Sequence, residues 1–234
     1  MTKTFVLMHG AWHGGWCWKH VACALRARGH QVTTPTQTGL GERRHLISGA
    51  LSLQTFIDDL VNHILAEDLT NVILVGHSFG GNAVSGAAEA IPDRIKEAIY
   101  LDSTLLLSGE SLMDKLPAGE LADRILAISK AGDEIAVPPP PVATFGVTDP
   151  EQAAEVQPRL TPHPVSTLVS PLPIKGVPGN GLPARYIACT DPIYHPREKV
   201  RSWIGDLGWP VDELATGHDA MLTAPDALVE MLDR

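Results

Sequence analysis

Asn71-Val-Ile-Leu-Val-Gly-His-Ser-Phe-Gly-Gly81 joins an apolar run to a glycine-flanked serine. The apolar run Val72 to Val75 has strand character and leads straight into Gly76-His77-Ser78-Phe79-Gly80. Small residues of helical character follow over 81–90. Strand, sharp turn and helix form the context in which G-x-S-x-G holds a serine in a strained backbone conformation. There the hydroxyl is pushed out at the carboxyl end of a sheet. Gly76 and Gly80 lack a Cβ, so strand and helix can approach closely. Ser78 is therefore the candidate nucleophile.

On both sides of that turn, apolar strand-like runs alternate with helical patterns. Strands are predicted over 4–8, 30–34, 71–75, 98–101, 184–189 and 211–214, and helices over 16–28, 52–67, 79–90, 197–204 and 225–232. Ser52 is a good N-cap, and Leu53, Phe56, Ile57, Leu60, Val61, Ile64 and Leu65 recur at helical spacing behind it. Near-continuous apolar strands between helices predict an α/β fold. Its core is a mostly parallel six-stranded sheet covered by helices on both faces. Residues 104–183 break the rhythm with a high density of proline, including Pro138-Pro139-Pro140-Pro141. That segment is too long for an ordinary connection. Recurring Leu, Ile, Val and Phe distinguish it from a disordered linker. It is read as a cap inserted into a core of 1–103 and 184–234, with helix-like pieces at 109–130 and 149–157.

Composition bounds the function. The chain of 234 residues is 44% hydrophobic and 19% charged, values typical of one globular domain with a sizeable core. A net charge of −9 without a Lys/Arg cluster argues against a nucleic-acid partner. No apolar run is long enough to span a bilayer, and the N-terminus lacks a signal-peptide pattern. The expectation is a cytoplasmic protein with no membrane partner; the chain is also compatible with a homodimer. Cys17, Cys23 and Cys189 read as reduced structural thiols, and no metal-ligand spacing is present.

A serine hydroxyl needs a base within hydrogen-bond reach, and the base needs an orienting carboxylate. His218, in Thr216-Gly-His-Asp-Ala-Met221, follows the last predicted strand and is the candidate base. Two acids compete. Asp191 follows the strand 184–189 and is preferred; Asp102 ends the strand before it and is the alternative. Asp219 is expected to cap its loop or face solvent. The Phe79 N–H and the Ala11 N–H, in the glycine-rich loop His9-Gly-Ala-Trp-His-Gly-Gly-Trp16, are the expected oxyanion donors. His9 is expected to hold that loop by hydrogen bonds, and His77 to act as a structural spacer. The loop lacks G-x-G-x-x-G, which argues against a dinucleotide. Trp12, Leu105, Phe145 and Met221 are candidate walls of an apolar substrate pocket.

His9-Gly-Ala-Trp-His-Gly-Gly-Trp-Cys-Trp18, Thr38-Gly-Leu-Gly-Glu-Arg43, Gly76-His-Ser-Phe-Gly-Gly81 and Gly217-His-Asp-Ala-Met221 together resemble the α/β-hydrolase superfamily. The similarity is to the branch holding bacterial small carboxylesterases, plant methyl esterases and hydroxynitrile lyases. The resemblance implies a triad of Ser78, Asp191 and His218, an oxyanion hole at Ala11 and Phe79, and no cofactor. The spacing from Asp191 to His218 is typical of the branch. The lyases carry a threonine where this chain has Gly10 and a lysine where it has Asp219, and both departures favour ester hydrolysis. The resulting expectation is a serine esterase acting on small to medium apolar or aryl esters. Carbon–carbon or cyanohydrin cleavage on the same triad, and non-catalytic binding of an aryl acid, are the alternatives.

Overall fold

Strands that are apolar at every position are stable only where both faces are covered. Phe5, Val6, Leu7 and Met8, and likewise Val72, Leu74 and Val75, are wholly withdrawn from solvent. The computed structural model describes residues 1–116, 118–131, 135–194, 204–205 and 207–234. Six strands form the central sheet: β1 (Thr4–Met8), β2 (Gln31–Thr33), β3 (Val72–His77), β4 (Ile95–Leu101), β7 (Ala184–Cys189) and β8 (Val211–Leu214). Their order is β2-β1-β3-β4-β7-β8, and every neighbouring pair runs parallel.

Helices α1 (Lys19–Ala27), α2 (Leu53–Ala66), α3 (Gly80–Ala90) and α8 (Pro225–Leu232) flank this sheet. The path from β1 to β2 runs one way across the sheet, and the path from β2 through β3 to β4 runs the other. Right-handed crossovers therefore put α1 on one face and α2 and α3 on the opposite face. α8 packs against α1, and α2 against α3. The Ser52 N–H donates to Thr55 Oγ1 at 3.2 Å, which fixes the start of α2 as its sequence predicts. The helix predicted over 197–204 falls, at 197–203, outside the described residues.

Parallel register aligns the carboxyl ends. Met8 pairs with Gly76, His77 with Leu101, Leu101 with Ile187, and Cys189 with Leu214. Whatever follows β1, β3, β4, β7 and β8 thus emerges at one rim. The chain changes direction between β1 and β3, and at such a switch point the loops diverge and leave a crevice.

Between β4 and β7 the chain carries α4 (Glu120–Ala131), the short strand β5 (Ala136–Val137), α5 (Pro150–Val156), the strand β6 (His163–Pro164), which pairs antiparallel with β5, and α6 (Val165–Val169). The predicted helix over 109–130 is in fact a 3-10 turn at Leu112–Asp114 followed by α4. Gly109, with φ 79°, and Gly119, with φ 159°, lie in backbone conformations a continuous helix does not contain. Asp149 caps α5 by accepting from the Gln152 N–H at 2.8 Å. This insertion reaches the rim: the Thr161 N–H donates to the Trp12 carbonyl, and the Phe145 carbonyl accepts from the Asp219 N–H.

The α2–α3 contact depends on one missing side chain. A Cβ at Gly86 would stand 2.3 Å from Cδ1 and 2.4 Å from Cγ1 of Ile57. Gly86→Ala should lower stability by about 1–3 kcal/mol through overpacking. Adding Ile57→Ala should recover part of that loss, because the two residues share one space. Urea unfolding of both single variants and the double variant measures this coupling; strictly additive effects would contradict it.

Candidate active site

The turn after β3 builds the site outward from the backbone. Ser78 has φ 51°, the left-handed region that costs a non-glycine residue about 1–3 kcal/mol. Two hydrogen bonds from β4 and the residues just after it hold it there. The Ser78 N–H donates to the Leu101 carbonyl at 3.0 Å, and Ser103 Oγ donates to the Ser78 carbonyl at 2.6 Å. The side chain is partly accessible, unlike the neighbouring His77 and Phe79.

His218 Nε2 lies 2.8 Å from Ser78 Oγ, and its Nδ1 lies 2.7 Å from Asp102 Oδ2. The carboxylate that meets the imidazole is therefore Asp102, not the preferred Asp191. Asp102 leaves β4 with φ 43°, its N–H donating to the Ile187 carbonyl at 2.7 Å. Its second carboxylate oxygen accepts the Cys189 N–H at 3.3 Å. At 4% exposure it is buried on the strand next to the one that carries Ser78. Asp191 lies past the end of β7, is exposed, and donates its N–H to the Thr216 carbonyl. Those extra residues carry its carboxylate over the rim into water. Spacing along the chain did not register that difference.

The loop after β1 lies directly on the serine turn. A Cβ at Gly80 would stand 2.3 Å from the His9 carbonyl oxygen, and one at Gly10 would stand 2.8 Å from Ser78 Cβ. Ala11 is thereby held beside the serine. Among the described residues, neither the Ala11 nor the Phe79 N–H donates a hydrogen bond. His9 sets the aim of the first. Its Nδ1 faces the Gly10 carbonyl at 2.8 Å, and its Nε2 accepts the Gln37 N–H at 3.1 Å. A carbonyl can only accept, so Nδ1 carries the hydrogen and the ring is neutral. The Gly10 carbonyl and the Ala11 N–H belong to one rigid peptide plane, so fixing one fixes the other.

The insertion completes the surroundings. The Trp12 N–H donates to His163 Nδ1 at 3.3 Å, and Trp12 Nε1 donates to the Val137 carbonyl at 3.0 Å. The Phe145 ring lies 5.9 Å from that of Trp12 and 6.0 Å from that of His218. The structure thus brings Trp12 and Phe145 to the site. Leu105 is buried a few residues beyond Asp102. Met221 is wholly buried in the short helix α7 (Ala220–Thr223). Tyr194 was not foreseen: its ring stacks on His218 at 3.9 Å and 22°. Nothing in Asp191-Pro-Ile-Tyr194 signals that contact, which depends on how the chain returns after β7. Asp219 also departs from expectation. It has no exposed surface, and its Oδ2 lies 3.1 Å from His13 Nε2. Among the described residues no group of three His, Cys, Asp or Glu side chains is arranged to hold a metal ion.

Residues 5–231 match the model of an alpha/beta hydrolase family. The chain is 38% identical over 97% of its length to a carbendazim hydrolyzing esterase of Nocardioides sp. (strain SG-4G), covering 97% of that protein. Among solved structures, it superposes with TM-score 0.84 and 27% identity on an extracellular alpha/beta-hydrolase from a Paenibacillus species. That structure is described as sharing structural and functional homology with tobacco salicylic acid binding protein 2. The match covers 98% of this chain and 97% of that one. A methylesterase from Arabidopsis superposes with TM-score 0.77 and 25% identity, over 100% of this chain and 98% of its own.

Two of the buried imidazoles make the site sensitive to acid. Burial pushes both His9 and His163 down to about 3. In the unfolded chain each titrates near its ordinary value of about 6.5. Below that value the unfolded state binds protons that the native state refuses. The stability these residues contribute is complete above pH ~6.5 and falls towards pH ~3 by up to ~1.4 kcal/mol per pH unit each. Urea unfolding at pH 7 and pH 5 should show the loss. His163→Asn, which keeps an acceptor for Trp12, should make the decline shallower; an unchanged slope would contradict this origin.

Proposed function

The chain belongs to the α/β-hydrolase family, and we propose that it hydrolyses small to medium esters with an apolar or aryl part through an acyl-enzyme formed on Ser78. It is a hydrolase acting on esters; the residue roles and the substrate range are the proposal. The observation that carries them is the unbroken chain Asp102–His218–Ser78, with bonds of 2.7 and 2.8 Å.

Asp102 accepts the hydrogen on His218 Nδ1 and so leaves Nε2 free to accept from Ser78. As Ser78 Oγ bonds to the ester carbonyl carbon, its proton passes to Nε2. Negative charge collects on the carbonyl oxygen, where the Ala11 and Phe79 N–H groups receive it. One such donor is typically worth ~2.7–4 kcal/mol in the transition state. When the alcohol C–O bond breaks, the leaving oxygen takes the proton from Nε2. Water then repeats the sequence on the acyl carbon, its proton passing to His218, and the acid is released with Ser78 restored.

Residues 104–183 act as the cap, and Trp12, Leu105, Phe145 and Met221 are proposed as apolar walls. The neutral, apolar lining of Trp12 and Phe145 beside His218 suits an aryl or alkyl group. The relative that hydrolyses carbendazim makes that compound a natural member of a substrate panel. A cytoplasmic location belongs to the proposal too, supported by cysteines that form no disulfide among the described residues, Cys17 and Cys189 buried and Cys23 exposed. No helix among the described residues is long and apolar enough to cross a membrane.

Ser78→Ala should abolish turnover of p-nitrophenyl acetate; a rate equal to wild type would end the proposal. Asp102→Asn should lower kcat by about 10⁴-fold, as loss of the orienting carboxylate does in a serine triad. Asp191→Asn should stay within about twofold of wild type, since an exposed carboxylate away from the imidazole has nothing to orient. Reversal of those two results would reinstate Asp191.

A further inference from the structure

Ester hydrolysis as described leaves one buried ionisable pair without a task. His13 is 1% exposed and Asp219 has no exposed surface. His13 Nδ1 lies 2.8 Å from the Ala11 carbonyl, which can only accept, so Nδ1 carries a hydrogen. Its Nε2 lies 3.1 Å from Asp219 Oδ2. Asp219 is the residue after His218, and Ala11 carries the first oxyanion donor. The pair therefore bridges the two loops that must meet around one reacting carbon. It also touches the strand between them: Asp219 Oδ1 lies 3.8 Å from His77 Nε2, which itself donates to the His218 carbonyl at 3.0 Å.

We propose that His13 and Asp219 form an imidazolium–carboxylate pair that acts as a positioning clamp, setting the Ala11 N–H against His218 for the transition state. The proposal deepens the ester-hydrolase reading and rests on it. A buried carboxylate needs a cation, and His13 is the group in contact with it. Burial alone would push His13 down. The Asp219 charge, its hydrogen bond and the Ala11 carbonyl outweigh burial and hold the imidazole above its usual range. The other titratable groups around the pair agree. His9 and His77 are buried and pushed down, each in part by His13. Burial and then Asp219 push the Cys17 thiol up, and the same two causes lead at Tyr194. Trp16 and Phe145 close the faces of His13 at 5.7 and 5.4 Å, and Arg159 lies beyond, over Trp16 at 4.4 Å. A clamp of this kind holds geometry at the reacting centre, so its loss should appear in kcat and leave ground-state binding nearly unchanged.

Nitrogen-15 NMR of the full chain, with His13 assigned by difference from His13→Gln, tests the charge state. Two protonated ring nitrogens on His13 at pH 7 are expected; a ring with a single N–H overturns the ion pair. Active-site titration with a fluorophosphonate then normalises the rates of His13→Gln and Asp219→Asn. Each should lose about 10- to 100-fold in kcat on p-nitrophenyl acetate, with KM within about twofold, as a displacement of about 1 Å does. Affinity for a trifluoromethyl ketone, which forms an oxyanion on Ser78, should fall by the same factor. Wild-type kcat per titrated site in both variants would overturn the positioning role. Should either variant fail to fold, backbone-to-ring correlations assign His13 in the wild-type spectrum, and the other variant carries the rate test. A wild-type protein inert to every ester and to the fluorophosphonate would instead refute the hydrolase mechanism, with the spectrum unaffected.

Discussion

Backbone lies on backbone where the loop after β1 meets the turn after β3, and the rest of the site depends on that contact. The His9 carbonyl stands where a side chain at Gly80 would begin, and Gly10 is packed on Ser78 with no room for a Cβ. Both segments emerge at the switch point of the parallel sheet, where the connections diverge and a crevice opens. Only glycine permits the two loops to approach this closely. The glycine-rich character of 9–15 is thus a requirement of separation between two loops more than of flexibility within one.

That contact would be useless without strain held in place. Trp12, Ser78 and Asp102 all have positive φ, at 63°, 51° and 43°, and all three belong to the candidate site. Each such conformation costs about 1–3 kcal/mol and persists only where neighbours over-determine it. For Ser78 the neighbours are Leu101 and Ser103; for Asp102 they are Ile187 and Cys189; for Trp12 they are Thr161, His163 and Val137. Each residue is pinned by a different segment of the chain, so the geometry exists only when the sheet and the insertion are both folded. The same burial that holds the strain makes His9 and His163 neutral hydrogen-bonding struts, in contrast to His13, which has a carboxylate partner.

The insertion is structurally part of the site. Through Thr161, His163 and Val137 it holds Trp12, and through Phe145 it accepts the N–H of Asp219 and lies near the His218 ring. It fixes the loop that carries Ala11 on one side and the loop that carries His218 on the other. Changes in this segment therefore also act on the geometry around Ser78 and His218.

Much of this was legible in the linear order of residues, for reasons that are local. The strand–turn–helix around Ser78 is written in a run of apolar residues and two glycines. The alternation of periods placed all six strands, and a histidine after the last strand had to return to the rim where Ser78 emerges. What the sequence left open was decided by distances across strands. Asp102 and Asp191 both follow a strand, and only the fold shows that one is buried beside Cys189 while the other has passed the rim into solvent. Asp219 reads as a surface residue until the loop carrying it folds onto His13, and Tyr194 reads as nothing until its ring covers His218. Periodicity and turn chemistry act between near neighbours in the chain, so the sequence determined the architecture and the serine and histidine that meet at the rim. Which carboxylate meets that histidine, and which buried side chains join the loops, depends on residues far apart in the chain, and only tertiary packing brings those together.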